Sequence, residues 1–285
     1  MLFLFVFPGI LALTAIVVFP IIFGFYTSLS RWNWAAGEAG SMTFIGLQNY
    51  RKILHDAYFW NSIWRTVYFA IGAVGVQFLL GLGCALLLNQ RVRGAVLFRP
   101  AFMFPLMVSD IVAALMWKML LNPALGHVNY YLGALGLPTP NWIGDPHIVI
   151  PAAILVDTWW QTGFITLILL AGLKSIPEDL LEAARVDGAS AWQRLRYVML
   201  PCLSPVIFVA LVFRTIACLR VFAIMWGITG GGPARASEVS QLYIYNQGLG
   251  RLLKMGYSAS LAIAFSAIIV VIIAVYIRRL GRQLV

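Results

Sequence analysis

The chain has 285 residues, 61% of them hydrophobic and only 11% charged, against about 25% charged in soluble domains, which excludes an ordinary soluble protein. Its formal charge of +10 could suit nucleic acid, but no Lys/Arg run exceeds two residues, so the charge reads as cationic loops on one face of a membrane, with no nucleic-acid partner. Cys84, Cys202 and Cys218 lie in or beside apolar segments at no metal-ligand spacing, and read as small hydrophobes.

Six apolar stretches follow along the chain: 3–29, 62–89, 100–121, 148–172, 203–228 and 257–277. About 20 apolar residues cross roughly 30 Å of hydrocarbon. Inside it the backbone must satisfy its own hydrogen bonds, which predicts helices. The alternating segments of about ten residues that mark a membrane β-barrel are absent. Thr66–Leu88 and Ser258–Ile277, within the second and sixth stretches, carry no charge. Leu2–Leu29 is too long for a signal-peptide core, lacks a basic leader and a small-residue cleavage site, and is expected to be a first span after a short tail. The fold class is all-α integral membrane protein: six transmembrane helices forming a single domain over 1–285.

An even number of spans puts both termini on one side. Arg278, Arg279 and Arg282, then Arg91, Arg93 and Arg99, then Lys174, Arg185, Arg194 and Arg196 place ten basic residues on one face. The other face has eight (Arg31, Arg51, Lys52, Arg65, Lys118, Arg235, Arg251 and Lys254) over longer loops. The positive-inside bias favours cytoplasmic N- and C-termini. Trp32, Trp34, Trp60, Trp142 and Trp226 fall near outer span ends, as an interfacial aromatic belt does. Gly72, Gly75, Gly81 and Gly83 suit close helix packing. No GxxxxGK[ST] phosphate loop occurs, and His55, His127 and His147 have no acid or Cys at metal spacing. The chain is expected to hold no catalytic site, cofactor or metal of its own.

The polar insert 173–202 stands apart. Ser175-Ile-Pro-Glu178 fits a capping box, with Glu178 and Asp179 at the positive end of a helix. Gly188 is the natural stop of that helix. Ser190-Ala-Trp-Gln193 fits a second capping box, opening a helix that runs to Pro201. Leu180, Ala183, Ala184 and Asp187 lie on adjoining faces of the first helix, and the small alanines admit another backbone. A surface-lying membrane helix would carry Lys/Arg on its polar face. This one carries Glu178, Asp179, Glu182 and only Arg185, so a protein partner accounts for it better.

"EAARVDGASAWQRLRYVMLP" resembles the EAA loop of binding-protein-dependent ABC importer permeases through Glu182, Ala183, Ala184, Gly188, Val198, Leu200 and Pro201. Val198 stands where Ile is commoner. "FIGLQNYRKIL", "LLNPALGHVN" and "ITGGGPARASE" are similar to the carbohydrate-uptake branch, which includes maltose, lactose and sn-glycerol-3-phosphate permeases. "TGGGP" suggests the first of two non-identical permeases. The resemblance implies a type I importer permease in the bacterial inner membrane. It implies a second related permease, two ATPase subunits that bind the ATP and Mg, an extracytoplasmic solute-binding protein and a sugar-like solute. It makes the loop, with Glu182, Ala183, Ala184, Asp187, Gly188, Leu200 and Pro201, the coupling element that docks on an ATPase.

Asp110, Asp157, Arg214 and Arg220 are predicted well within spans, where an ionised group costs a few kcal/mol and marks a functional candidate. The two acids and two arginines could neutralise each other or meet solute. Asp157 and Gln161 share a face beside Trp160, a wall suited to a polyhydroxylated ligand. In the family, acids often accompany such arginines; here Ala217 and Ala223 occupy those places. That departure leaves an arginine open to an anionic group. A proton-coupled secondary carrier relaying through Asp110 or Asp157 is the competing reading; it has no need of the 175–201 insert.

Overall fold

A computed structural model of the chain describes residues 2–34, 41–90 and 100–281. Arg91, Arg93, Arg99 and Arg282, counted toward the charge bias, lie outside them. The chain divides into two compact units, Met1–Ile63 with Ser240–Val270, and Trp64–Val239 with Val271–Val285.

The first unit opens with α1 (Leu2–Leu13) and α2 (Phe19–Ser28), joined by a π turn over Thr14–Val18. The span Val6–Ser28 has none of its apolar window buried, as a helix facing lipid does. Strands β1 (Ser30–Arg31) and β2 (Thr43–Phe44) pair antiparallel, Ser30 opposite Phe44. Helix α3 (Gln48–Leu54) is tied to that hairpin by Asn49, whose amide donates to the carbonyls of Ser28 (2.9 Å) and Ser30 (3.0 Å). The "FIGLQNYRKIL" stretch is thus a docking segment closing this unit. Asp56 then caps α4 (Ala57–Asn89), accepting from the backbone N–H groups of Tyr58 (3.1 Å) and Phe59 (3.3 Å). Its other oxygen accepts from the hydroxyls of Tyr243 and Tyr257. Burial pushes this carboxyl up, but the bonds from Tyr243, Tyr257, Phe59 and Tyr58 outweigh it and hold it below its ordinary value.

The second unit carries α5 (Asp110–Leu120), α6 (His127–Ala134), α7 (Val149–Lys174), α8 (Glu178–Val186), α9 (Ala191–Arg194), α10 (Leu200–Leu219) and α11 (Ala223–Thr229). Helix α12 (Ser240–Tyr245) belongs to the first unit, and α13 (Met255–Gly281) has residues in both. Helix α7 buries residues around its whole circumference, from Val149 to Leu173, because it is apolar on every side. Its C-terminal half packs Ile165, Leu169, Leu170 and Leu173 against Ala85 and Leu88 of α4 and Leu203 of α10. Gly72 and Gly81 do serve close packing, lying against Ile154 and Ile165 of α7, but Gly75 and Gly83 face open space.

Five helices among the described residues are long and apolar enough to span, or six if one bent pair counts as a span. That pair corrects the third expected helix: over 100–121 the chain breaks between Pro100–Met107 and Asp110–Leu120 at 101°. Val108 and Ser109 are extended, so the helical ladder is interrupted there. The fifth expected span is also not one helix. It stops at Leu219, and α11 restarts at Ala223. Nothing in Cys218-Leu-Arg-Val-Phe222 signals a break, since it holds no Pro or Gly. Packing supplies the cause: α11 lies against α5, with Gly227 so close to Ile111 and Ala114 that a Cβ would meet them.

The insert differs from expectation at two points. Ser175 does not cap α8. It ends α7, and its hydroxyl donates to the carbonyl of Gly172 (2.8 Å), while Pro177 stands at the N-cap of α8. Pro201 does not end the second insert helix either. Helix α9, a π turn over Leu195–Met199 and α10 form one continuous helix, Ala191–Leu219. A proline ring inside a helix clashes with the preceding turn, and the wider π turn just before Pro201 accommodates it. The Ser190 box and the Gly188 turn are as expected. Ser190 Oγ accepts from Gln193 N–H (3.3 Å), Gln193 Oε1 accepts from Ser190 N–H (2.7 Å), and Gly188 adopts φ +77°.

Candidate functional site

Two helices inside the second unit meet through charge. Arg214 of α10 donates to Asp157 of α7 at 2.7 Å, with both side chains 5% exposed. Gln77 of α4 closes the triangle: its amide nitrogen donates to Asp157 (2.7 Å), and its amide oxygen accepts from Arg214 Nε (2.8 Å). Cys218, one turn after Arg214, accepts a further guanidinium bond at 3.2 Å. Asp157, Arg214 and Gln77 thus each bond to the other two, which makes a charge pair tolerable in an apolar interior. Three helices are pinned in register by one carboxylate. Gln77 was not singled out in the sequence. Its position amid 22 uncharged residues of a span was the available signal, because a buried amide in hydrocarbon needs a partner.

A cavity of about 470 Å³ opens beside this triangle, and Asp110, Asp157, Trp160, Gln161, Arg214 and Arg220 all line it. The six residues marked from sequence are therefore neighbours, although their environments differ. Asp157 and Arg214 are within helices and buried. Asp110 and Arg220 are not mid-helix, as expected from the sequence, but stand at the two breaks. Asp110 is the first residue of α5, where its carboxylate accepts from Ile111 N–H (2.8 Å). Arg220 is the C-cap of α10, with its N–H on the carbonyls of Ile216 and Ala217. Acid at a helix start and base at a helix end both match the helix dipole. The indole N–H of Trp160 donates to the carbonyl of Val108 at 2.9 Å, satisfying a backbone group freed by the first break. That leaves Trp160 its ring, rather than its N–H, for a ligand.

At the other end of the unit, the insert presents its residues outward. Glu182, Ala183, Asp187 and Gly188 are exposed, Ala184 and Leu200 are half-buried, and Pro201 is exposed. Leu181 packs back on the α4–α7–α10 core and anchors the helix. Val186 is 88% exposed and Trp192 65%. Large apolar groups held outward on a polar insert mark a contact surface, and sequence reading passed over both. The signal was there in an apolar residue and an indole flanking the Gly188 turn. Among the described residues no group of three His, Cys, Asp or Glu could hold a metal ion.

Comparison with known proteins places this geometry. The family described as "Binding-protein-dependent transport system inner membrane component" matches residues 77–283. The chain is 38% identical over 244 residues to the trehalose/maltose transport system permease protein MalF of Thermococcus litoralis, covering 86% of this chain and 82% of that one. It is 35% identical to the trehalose transport system permease protein SugA of Mycobacterium tuberculosis, covering 98% of this chain and 88% of that one. Its fold is similar to a chain of a bacterial ABC transporter involved in the import of the acidic polysaccharide alginate, with a TM-score of 0.84 and 24% identity over 99% of this chain and 95% of that one.

Proposed function

Since the chain belongs to the family of binding-protein-dependent transport system inner membrane components, we propose that it forms half the translocation pathway of an ATP-driven importer for a sugar or sugar-like solute. The sugar class rests on relatives named for trehalose and maltose transport. A second, related permease completes the pathway. Two ATPase subunits bind the ATP and Mg, and an extracytoplasmic binding protein delivers solute. The chain sits in the bacterial inner membrane with both termini cytoplasmic.

One observation carries the coupling role. The insert is a preformed helix–turn–helix, capped at Ser190 and turned at Gly188, that holds Glu182, Ala183, Asp187, Val186 and Trp192 outward. Such a surface suits a groove on another protein. Because Ala191–Leu219 is one helix, a push on the insert is transmitted along α10 toward Arg214 and the cavity wall without a flexible joint. Leu200 and Pro201 lie on that shaft rather than at its end. Alternating closure and reopening of the ATPases thereby opens the cavity to one side and then the other.

A proton relay through Asp157 would have to break its ion pair with Arg214 and its bond from the Gln77 amide. Asp110 is engaged at the start of α5. The deciding experiment co-expresses the chain with a candidate ATPase, second permease and binding protein from the same genome and reconstitutes them in nanodiscs. ATP hydrolysis is expected to require this chain and to rise when binding protein and trehalose or maltose are added. Hydrolysis indifferent to the chain, or sugar uptake driven by a proton gradient without ATP, overturns the reading.

A further inference from the structure

Of the two cavity arginines, one is engaged and one has no side-chain partner among the described residues. Arg214 is held by Asp157, Gln77 and Cys218. The Arg220 side chain has no acid and no hydrogen-bond acceptor among the described residues, although it lines the cavity and is exposed to it. Ala217 and Ala223, the two cavity residues three before and three after it, bring no counter-charge. The other acid lining the cavity, Asp110, directs an oxygen to its own helix start. Gln161, on the α7 wall, also has an amide without a partner among the described residues.

A guanidinium is charged at every working pH and offers five donors in a fixed fork that fits two oxygens of one anionic group. We propose that the cavity admits solutes carrying a carboxylate, sulfonate or phosphate, with Arg220 holding the anion and Gln161 a neighbouring hydroxyl. The inference rests on the import reading for the identity of the occupant as a solute. It extends that reading from sugar to acidic sugar derivative.

The test measures the charge preference of the cavity directly, in the assembled importer in nanodiscs. Cys84→Ser and Cys202→Ser, with the buried Cys218 kept in its bond to Arg214, supply the background; the Gln161→Cys thiol is labelled in it with anionic sulfonatoethyl or cationic trimethylammonioethyl methanethiosulfonate, and the rate of the same background without Gln161→Cys is subtracted. The anionic-to-cationic rate ratio is expected to fall at least about tenfold on Arg220→Gln, because the Coulomb attraction of a cation lining the same cavity is lost. Arg220→Lys is expected to keep most of it. Methyl glucuronide is expected to slow labelling more than methyl glucoside, and only with a cation at 220. An unchanged ratio in Arg220→Gln overturns the proposal. So does a ratio that collapses when phosphatidylglycerol replaces phosphatidylcholine, since a lipid headgroup then occupies the arginine. Loss of solute-stimulated ATP hydrolysis in the unsubstituted protein, with the ratio still dependent on Arg220, removes the import reading alone.

Discussion

Arg214 and Asp157 form a buried ion pair at 2.7 Å between α10 and α7, and Gln77 of α4 bonds to both. Removing one member leaves the other charge buried and unpaired, which costs about 3–5 kcal/mol. Asp157→Asn and Arg214→Gln are each expected to lower the melting temperature of the purified importer markedly. The double variant is expected to recover much of the loss, because two neutral amides can still bond across the gap. Thermal melting followed by size-exclusion recovery reads this. A double variant as unstable as the sum of the singles would contradict a mutual pairing role.

The two ends of the insert make opposite predictions. Ser190→Ala breaks a capping box, a loss of about 1 kcal/mol, and is expected to increase amide hydrogen exchange over Ala191–Arg194. Ser175→Ala is expected to leave exchange in α8 unchanged, since its hydroxyl bonds back to Gly172 and not to α8. Gly188→Ala puts a Cβ at φ +77°, a strain of about 1 kcal/mol, and is expected to loosen the turn.

The proposed docking face has its own test. Glu182→Lys reverses an exposed charge, and Trp192→Ala removes an exposed indole. Each is expected to uncouple ATP hydrolysis from solute without changing the amount of chain in the membrane. Anchor residues at interfaces are worth about 2 kcal/mol or more, so ATPase subunits should bind at least about thirtyfold more weakly. Full solute-stimulated hydrolysis in Glu182→Lys would remove the docking role.

Asp56 predicts a pH dependence in the first unit. Its carboxyl lies below the ordinary carboxylate value in the folded chain. A depressed folded value means the stabilisation is present above the unfolded value, about 3.9, and is lost as pH falls through the folded one. The melting-temperature gap between the wild-type chain and Asp56→Asn is therefore expected to be constant from about pH 7 to pH 5 and to narrow below about pH 4. Tyr243→Phe and Tyr257→Phe each remove one donor and are expected to shrink the same gap. A gap that widens on acidification contradicts the assignment.

What could be read from the residues followed from local rules. Span positions came from apolar length, the Ser190 cap and Gly188 turn from side-chain chemistry, the four charged cavity residues from the cost of a charge in hydrocarbon, and Trp160 and Gln161 from the helix face they share with Asp157. What could not be read was set by neighbours. The break after Leu219 has no Pro or Gly and exists because α11 packs on α5. Ser175 chose the end of α7 over the start of α8, and both choices satisfy one carbonyl or one N–H. Asp110 and Arg220 looked like mid-span charges only because the breaks were hidden, and the breaks are what place them on the cavity wall.

Trp160 tests whether the first break is held by the cavity wall. Its indole N–H is the donor to the Val108 carbonyl, so Trp160→Phe keeps a ring and removes one bond. An unpaired buried carbonyl costs about 1–3 kcal/mol, and the segment 104–109 should exchange its amide protons faster as a result. Trp160→Ala removes the ring as well. If the ring also meets solute, Trp160→Phe should retain most solute-stimulated ATP hydrolysis while Trp160→Ala loses it, although both free Val108 equally. Equal loss of stimulation in the two variants would assign Trp160 to the break alone, and unchanged exchange at 104–109 in both would deny it that role.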